Sequence, residues 1–176
     1  TKDAVIGTKC YIGGCAGLLM SAKGTSYSSP TGVYCKDSTN NGAITINGTI
    51  NCPPYIGGVV GYNYVGVDGA KVYSLSNLTN NAAITLGANG SVPSTNLYIA
   101  GCVGHAEGTV TTATNSGAIT VSGSSTGGNS YIAGCAADVG VSYTISGLTN
   151  EAAILCDGTV KSARLGGVGG YIGIIE

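Results

Sequence analysis

Apolar and polar positions alternate in short runs, and the runs recur as fixed phrases. Ala43-Ile44-Thr45-Ile46 sets Ile44 and Ile46 on one face and Thr45 on the other, the two-residue period of a strand buried on one side. The same run returns at Ala83-Ile84-Thr85-Leu86, Ala118-Ile119-Thr120-Val121 and Ala153-Ile154-Leu155-Cys156. A Thr-Asn pair precedes each copy, with Asn40, Asn80, Asn115 and Asn150 in one column. A second phrase alternates with the first: Tyr11-Ile12-Gly13-Gly14-Cys15, Tyr55-Ile56-Gly57-Gly58-Val59, Tyr98-Ile99-Ala100-Gly101-Cys102 and Tyr131-Ile132-Ala133-Gly134-Cys135, with Arg164-Leu165-Gly166-Gly167-Val168 as a worn fifth copy. Its spacings are 44, 43, 33 and 33 residues. A repeat of 20–50 residues with variable loops is the signature of stacked coils.

Three short strands per unit are expected. The first is the Ala-Ile-Thr-Val run, and the second is the whole phrase Tyr-Ile-Ala-Gly-Cys-Val-Gly. The third is the Thr/Val/Leu-rich stretch before Thr-Asn, such as 109–114 or 143–148. Asn with Gly or a small residue then turns a corner, because Asn and Gly tolerate left-handed backbone. Helical repeats are disfavoured by the scarcity of Glu, Lys and Arg and the abundance of Gly, Thr, Ser and Asn. The sequence thus predicts an all-β protein, a parallel β-solenoid of about four to five coils of 33–44 residues, with 1–176 as one repeat-built domain. Stacking puts like on like: an inward Ile column, and an amide ladder of Asn40, Asn80, Asn115 and Asn150 at the corner. Ala4-Val5-Ile6 reads as a truncated first strand and Tyr171-Ile172-Gly173-Ile174-Ile175 as an apolar last one, neither with an evident polar cap. Such ends are templates for pairing with another chain.

Composition narrows the function classes. Charged residues make up 9% and net charge is -1, which excludes a basic nucleic-acid footprint and a polybasic membrane anchor. No run reaches the roughly 18–20 apolar residues of a membrane span, so no membrane insertion is expected. The chain starts at Thr1 without a Met or a signal peptide, and reads as a processed chain or a fragment of a longer one. Seven Cys is an odd number. Cys156 shares a column with Ile46, Leu86 and Val121, and Cys15, Cys102 and Cys135 share one with Val59 and Val168, so these read as packing residues. Cys10 and Cys52, each just before a Tyr-Ile-Gly-Gly phrase, are the disulfide candidates.

Gly57-Gly58-Val59-Val60-Gly61-Tyr62, then Ala100-Gly101-Cys102-Val103-Gly104-His105 and Gly134-Cys135-Ala136-Ala137-Asp138, each followed by an Asn-rich turn and a short Ile-Thr strand, resemble the GLUG-type repeats of large bacterial surface and secreted proteins. The resemblance spans nearly the whole chain. It implies a β-solenoid in a cell-surface adhesin, stalk or fibre, and implies no catalytic residues. The high Cys content departs from the usual bacterial repeat.

Candidate chemistry is sparse. His105, Asp138, Tyr62 and Tyr171 fall in one column with Glu107 nearby, a grouping capable of acid-base work or weak metal binding, against the plainer reading of a loop salt bridge. The eight carboxylates are scattered, without the facing pair that glycoside hydrolysis requires. No catalytic residue, metal site or cofactor is assigned. Alternation points Tyr55, Tyr98 and Tyr131 outward, as a strip for sugar rings or a partner chain, or as a stack that merely stabilises the sheet. The outward Thr45, Thr85 and Thr120 form one file broken by Leu155, short of the paired files of ice-binding solenoids. Asn47, Asn77 and Asn89 open glycosylation sequons that matter only in a eukaryotic secretory pathway. The expectation is an extracellular or cell-surface structural repeat module of a fibre or adhesin, stacking end to end or joined to neighbouring domains. A glycan- or host-surface-binding adhesin is the alternative, and a polysaccharide-acting enzyme the third reading.

Overall fold

The computed structural model describes residues 9–20, 34–64, 74–140 and 143–172. Ala4-Val5-Ile6 and Gly173-Ile174-Ile175, read above as parts of end strands, lie outside them. The first coil comprises β1 (Cys10–Gly13), β2 (Ala16–Met20), β3 (Tyr34–Asn40) and β4 (Ile44–Ile46). The second has β5 (Pro54–Gly57), β6 (Val60–Tyr64), β7 (Ser74–Asn80), β8 (Ile84–Leu86) and β9 (Ser91–Val92). The third has β10 (Leu97–Ala100), β11 (Val103–Ala106), β12 (Thr109–Asn115), β13 (Ile119–Val121) and β14 (Ser124–Ser125). The fourth has β15 (Ser130–Ala133), β16 (Ala136–Val139), β17 (Ile145–Asn150), β18 (Ile154–Cys156) and β19 (Thr159–Val160), and a partial fifth has β20 (Ala163–Gly166) and β21 (Gly169–Ile172).

Every pairing is parallel and joins successive coils. The Tyr-Ile sheet runs β1-β5-β10-β15-β20 and the Gly-Tyr sheet β2-β6-β11-β16-β21. Sheets of four strands, β3-β7-β12-β17 and β4-β8-β13-β18, carry the Thr-Asn and Ile-Thr strands, and β9-β14-β19 makes a short fifth side. The chain is therefore a parallel β-solenoid. Register follows the repeated phrases, with Tyr11, Tyr55, Tyr98 and Tyr131 in file and Ile44, Ile84, Ile119 and Ile154 in another.

The three-strand expectation is corrected in two respects: β9, β14 and β19 form a short sheet in the Gly/Ser-rich stretch expected to be a loop, and the Tyr-Ile phrase is broken. Tyr-Ile-Gly-Gly-Val-Val-Gly-Tyr is two strands, not one, because Gly58 and Val59 turn a corner between β5 and β6. The corner divides the aliphatic core. Ile56, Ile84, Leu86, Ile99, Ile119 and Ile132 pack in one cluster, and Val59, Val60, Leu75, Leu78, Cys102 and Val110 pack in another. Each fully buried Ile or Leu contributes about 1.5–3 kcal/mol. Thr85 and Thr120 are half-buried on the outer face, and Leu155 is exposed in the same file, as alternation requires.

The Thr-Asn sheet holds a feature that the apolar pattern does not announce. Asp37, Asn77, Thr112 and Gly147 stack at the middle of their strands with φ of 53°, 53°, 58° and 62°, and ladder pairing skips each of them. A left-handed residue at the same level in every strand is an in-register bend, with no residue inserted in any one strand. Asp, Asn and Gly suit that conformation; the β-branched Thr112 does not. Thr112→Asn is expected to stabilise the chain by about 1 kcal/mol, raising Tm by about 2–4 °C in a thermal melt. A lower Tm would show that the Thr hydroxyl compensates for its backbone.

Candidate functional site

Two sites deserve description, a sealed corner and an aromatic cluster. The corner is built where the two repeated phrases meet. Asn40 Nδ2 donates to Asn80 Oδ1 at 2.8 Å, Asn80 Nδ2 to Asn115 Oδ1 at 2.7 Å, and Asn115 Nδ2 to Asn150 Oδ1 at 2.8 Å. The second proton of each Nδ2 goes to the carbonyl two residues on, that of Gly42, Ala82, Gly117 or Ala152. Each Asn thus fastens its own turn and the next coil with one side chain. Asn80 and Asn115 are fully buried, a cost repaid only when every donor and acceptor is matched.

What buries them is the second glycine of the Tyr-Ile phrase. A Cβ at Gly14, Gly58, Gly101 or Gly134 would overlap the Cγ of Asn40, Asn80, Asn115 or Asn150 respectively. At all four positions it would also overlap the carbonyl oxygen of the corner glycine in the next coil. The glycine file is the wall of the channel in which the amide ladder runs. Gly167, the fifth in the file, has no atom of the described residues within 4 Å of its Cβ position.

The aromatic cluster lies on the side of β5, β10 and β15 opposite the inward Ile residues. Tyr55 and Tyr98 stack at 4.5 Å and 12°, and Tyr98 and Tyr131 at 4.9 Å and 7°. Alternation does turn these rings away from the aliphatic core, yet it does not leave them bare. The bend at Gly58-Val59 swings Tyr62 edge-on to Tyr55 at 4.8 Å and 89°, and His105 stacks on Tyr62 at 4.4 Å. Tyr55 is 8% exposed and Tyr98 9%, while Tyr131 is half-buried. A cation lies over the cluster at each end: Lys9 Nζ is 4.9 Å from the Tyr62 centroid, and the Arg164 guanidinium is 5.4 Å from that of Tyr131. The stack is largely a third packed cluster.

Burial pushes the Tyr55 and Tyr62 phenols far above the ordinary tyrosine range, reinforced at Tyr55 by Tyr98 and Asp138 and at Tyr62 by the hydrogen bond to Glu107. Tyr98 is also raised, chiefly by burial. In the unfolded chain these groups titrate near about 10. Below that pH both states are protonated and the stability is intact. Above it the unfolded chain loses protons that the folded chain retains, so stability falls as pH rises. Tm is therefore expected to drop steeply between pH 9 and 11, with phenolate absorbance appearing together with unfolding (about one unit either side of the free tyrosine value). Phenolate signal from all tyrosines before any loss of fold would contradict this.

Beside the tyrosines the predicted His105 column assembles. His105 Nδ1 lies 2.7 Å from Asp138 Oδ2, Tyr62 OH donates to Glu107 Oε1 at 2.8 Å, and His105 Nε2 is 3.7 Å from the same Glu107 oxygen. A carboxylate orienting an imidazole is half of a catalytic arrangement. The other half is missing among the described residues: Nε2 has no hydrogen-bond partner, so no hydroxyl or thiol nucleophile is poised on it. No group of three or more His, Cys, Asp or Glu side chains is placed to hold a metal among the described residues.

The packing expected of the cysteine columns holds at Cys102 and Cys135 and fails at Cys15, which is exposed in the first coil, while Cys156 is half-buried. Cys102 and Cys135 are buried core residues, donating to the Thr114 carbonyl at 3.3 Å and the Thr149 carbonyl at 3.0 Å. The hydrogen bond with Cys135 and burial push the Cys102 thiol up. Cys10 and Cys52, the disulfide candidates, are free thiols near each other, and burial, then the neighbouring Cys52, raises the pKa of Cys10. Asn47, Asn77 and Asn89 are exposed. Asn77 Nδ2 is already engaged, donating to Asp37 Oδ1 at 2.6 Å between adjacent coils.

Sequence reasoning found the Asn ladder, the Tyr file and the His105–Asp138 pairing. It missed the glycine wall and the left-handed file. For the latter the signal was present, since three of its four members are Asp, Asn and Gly. Comparison with protein-family models, curated proteins and solved structures returns no match for this chain.

Proposed function

We propose that the chain is a structural repeat module of an extracellular or cell-surface fibre or adhesin, able to continue at its ends by self-association or by joining neighbouring modules. The observation that carries this reading is the corner: an amide ladder walled along its length by glycine and unclosed at both described ends. Among the described residues, Asn40 Oδ1 accepts only from Gly42 N and Asn150 Nδ2 donates only to the Ala152 carbonyl, whereas Asn80 and Asn115 are bonded on both sides. Stacked ladders and stacked rings resist bending and local opening, which suits a load-bearing rod. Low charge and the resemblance to GLUG-type surface repeats support the extracellular setting.

The alternative, a glycan- or protein-binding adhesin module, draws on the half-buried Tyr11 and Tyr131 at the two ends of the aromatic file. Negative-stain microscopy beside sedimentation velocity separates the two. Filaments of uniform width, or mass that grows with concentration, are expected. A monomer at every concentration that binds a glycan saturably would move the function to the alternative.

A further inference from the structure

The aromatic cluster contains more than packing requires. Tyr62, 3% exposed, donates its hydroxyl proton to a carboxylate, Glu107 Oε1, at 2.8 Å. The Tyr98 and Tyr131 hydroxyls, by contrast, receive hydrogen bonds from the amides of Asn96 at 3.0 Å and Asn129 at 3.2 Å. Behind Glu107 stands His105. Its Nδ1 faces Asp138 Oδ2 at 2.7 Å, and because an ionised carboxylate only accepts, Nδ1 carries the ring proton. Nε2 of the neutral ring is then a bare lone pair. It is buried without a hydrogen-bond partner among the described residues, 3.7 Å from the same Glu107 oxygen. Glu107 and His105 thus form a row of proton acceptors that begins at one phenol.

Such a row is what one-electron oxidation of a buried tyrosine requires. A phenol that loses only an electron becomes a strongly acidic radical cation, and burial disfavours that charge as it disfavours the phenolate. Electron and proton therefore leave together. The electron has a path of stacked rings. Tyr62 meets Tyr55 at 4.8 Å between centroids, Tyr55 meets Tyr98 at 4.5 Å, and Tyr98 meets Tyr131 at 4.9 Å, while Tyr11 lies 5.2 Å from Tyr62. Tyr11 and Tyr131 are half-buried, within reach of an oxidant that cannot touch Tyr62 itself.

We propose that Tyr62 is a redox-active tyrosine, oxidised through the stacked rings by a peroxide-derived one-electron oxidant. The O–H bond of Tyr62 breaks. Its electron passes along the rings to the oxidant and its proton to Glu107 Oε1, leaving a neutral phenoxyl radical and a carboxylic acid. His105 Nε2 takes that proton in turn, and Asp138 holds the imidazolium. A reductant that supplies one electron restores the phenol as the proton returns. Nothing in this chemistry depends on the chain forming a fibre.

The test generates a one-electron oxidant by flash photolysis of a ruthenium tris-bipyridine sensitiser with a sacrificial electron acceptor, beside the full chain. Absorbance and electron paramagnetic resonance read the tyrosyl radical. The parent is expected to give a long-lived neutral radical that forms more slowly in D2O than in water. Tyr62→Phe keeps the ring and is expected to remove the long-lived component. Glu107→Gln keeps the shape but cannot take the proton, and is expected to slow radical formation at least about tenfold. Tyr64→Phe, whose ring lies 6.3 Å from Tyr62, is expected to behave as the parent. Thermal melts establish that each variant is folded, and the D2O comparison needs no variant at all. Absence of a long-lived radical, equal rates in D2O and water, or a radical that survives Tyr62→Phe or forms at the parent rate in Glu107→Gln overturns the proposal.

Discussion

Asn115→Ala is expected to cost the solenoid at least about 3 kcal/mol, one of the largest losses available to a single side chain here. Asn115 is fully buried and serves four partners: it donates to Gly117 O at 2.9 Å and Asn150 Oδ1 at 2.8 Å, and accepts from Asn80 Nδ2 at 2.7 Å and Gly117 N at 3.3 Å. Truncation leaves all four groups in a channel too narrow for easy rehydration, and each unmatched buried group costs about 1–3 kcal/mol. Asn115→Asp tests the same argument without changing shape. A carboxylate cannot donate to Gly117 O or Asn150 Oδ1, so the isostere is expected to fail as the truncation does. Asn40→Ala should cost less because, among the described residues, Asn40 has a ladder neighbour on one side only. Urea unfolding of the three variants measures the ranking, and equal midpoints for Asn115→Ala and the parent would contradict it.

The second large effect is expected from one methyl group. Gly101→Ala places its Cβ on the Asn115 Cγ and on the Gly134 carbonyl oxygen. The first cannot turn aside without breaking the ladder, and the second is backbone held by the coil above, where Gly101 N donates to Gly134 O at 3.1 Å. Overpacking against such rigid neighbours costs about 1–3 kcal/mol and sometimes more, and here it adds to the loss of the ladder. The same substitution at Gly167 meets no atom of the described residues within 4 Å and should stay within about 0.5 kcal/mol of the parent. Two glycines in one file, with opposite outcomes, separate the steric argument from any general intolerance of Ala. Equal losses at the two positions would show that helix- or strand-independent backbone effects, not the Asn seat, govern the file.

These two results explain why the repeat reads as it does. The Thr-Asn phrase and the Tyr-Ile-Gly-Gly phrase lie far apart along the chain, yet each exists because of the other: the amide needs a wall without a Cβ, and the glycine needs an amide to fill what it leaves open. Columns were legible in the sequence because stacking at parallel register repeats chemistry at each level, so Asn80 over Asn40 and Tyr98 over Tyr55 follow from alignment of the phrases alone. Contacts between columns were not, since they depend on where the coil bends. A two-residue period through Tyr55 to Tyr62 assumes a straight strand, which sends Tyr55 to solvent and puts Tyr62 on the opposite face. The corner at Gly58-Val59 instead folds Tyr62 against Tyr55 and buries both. The mid-strand bend escaped for a similar reason, because a two-residue period assumes a constant phase, whereas buried Leu75 and Leu78, like Val110 and Ala113, lie three residues apart across the residue that the ladder skips.

The account rests on an amide ladder that is closed inside the coil stack and open at Asn150, and side-chain amide hydrogen exchange observes that directly. Both Nδ2 protons of Asn80 and of Asn115 are expected to exchange slowly, each being held in a buried hydrogen bond. Asn150 should show one slow proton, held by Ala152, and one fast proton. Fast exchange at both protons of Asn80 and Asn115 would mean that the corner is not sealed, and the structural basis for the rod would be lost.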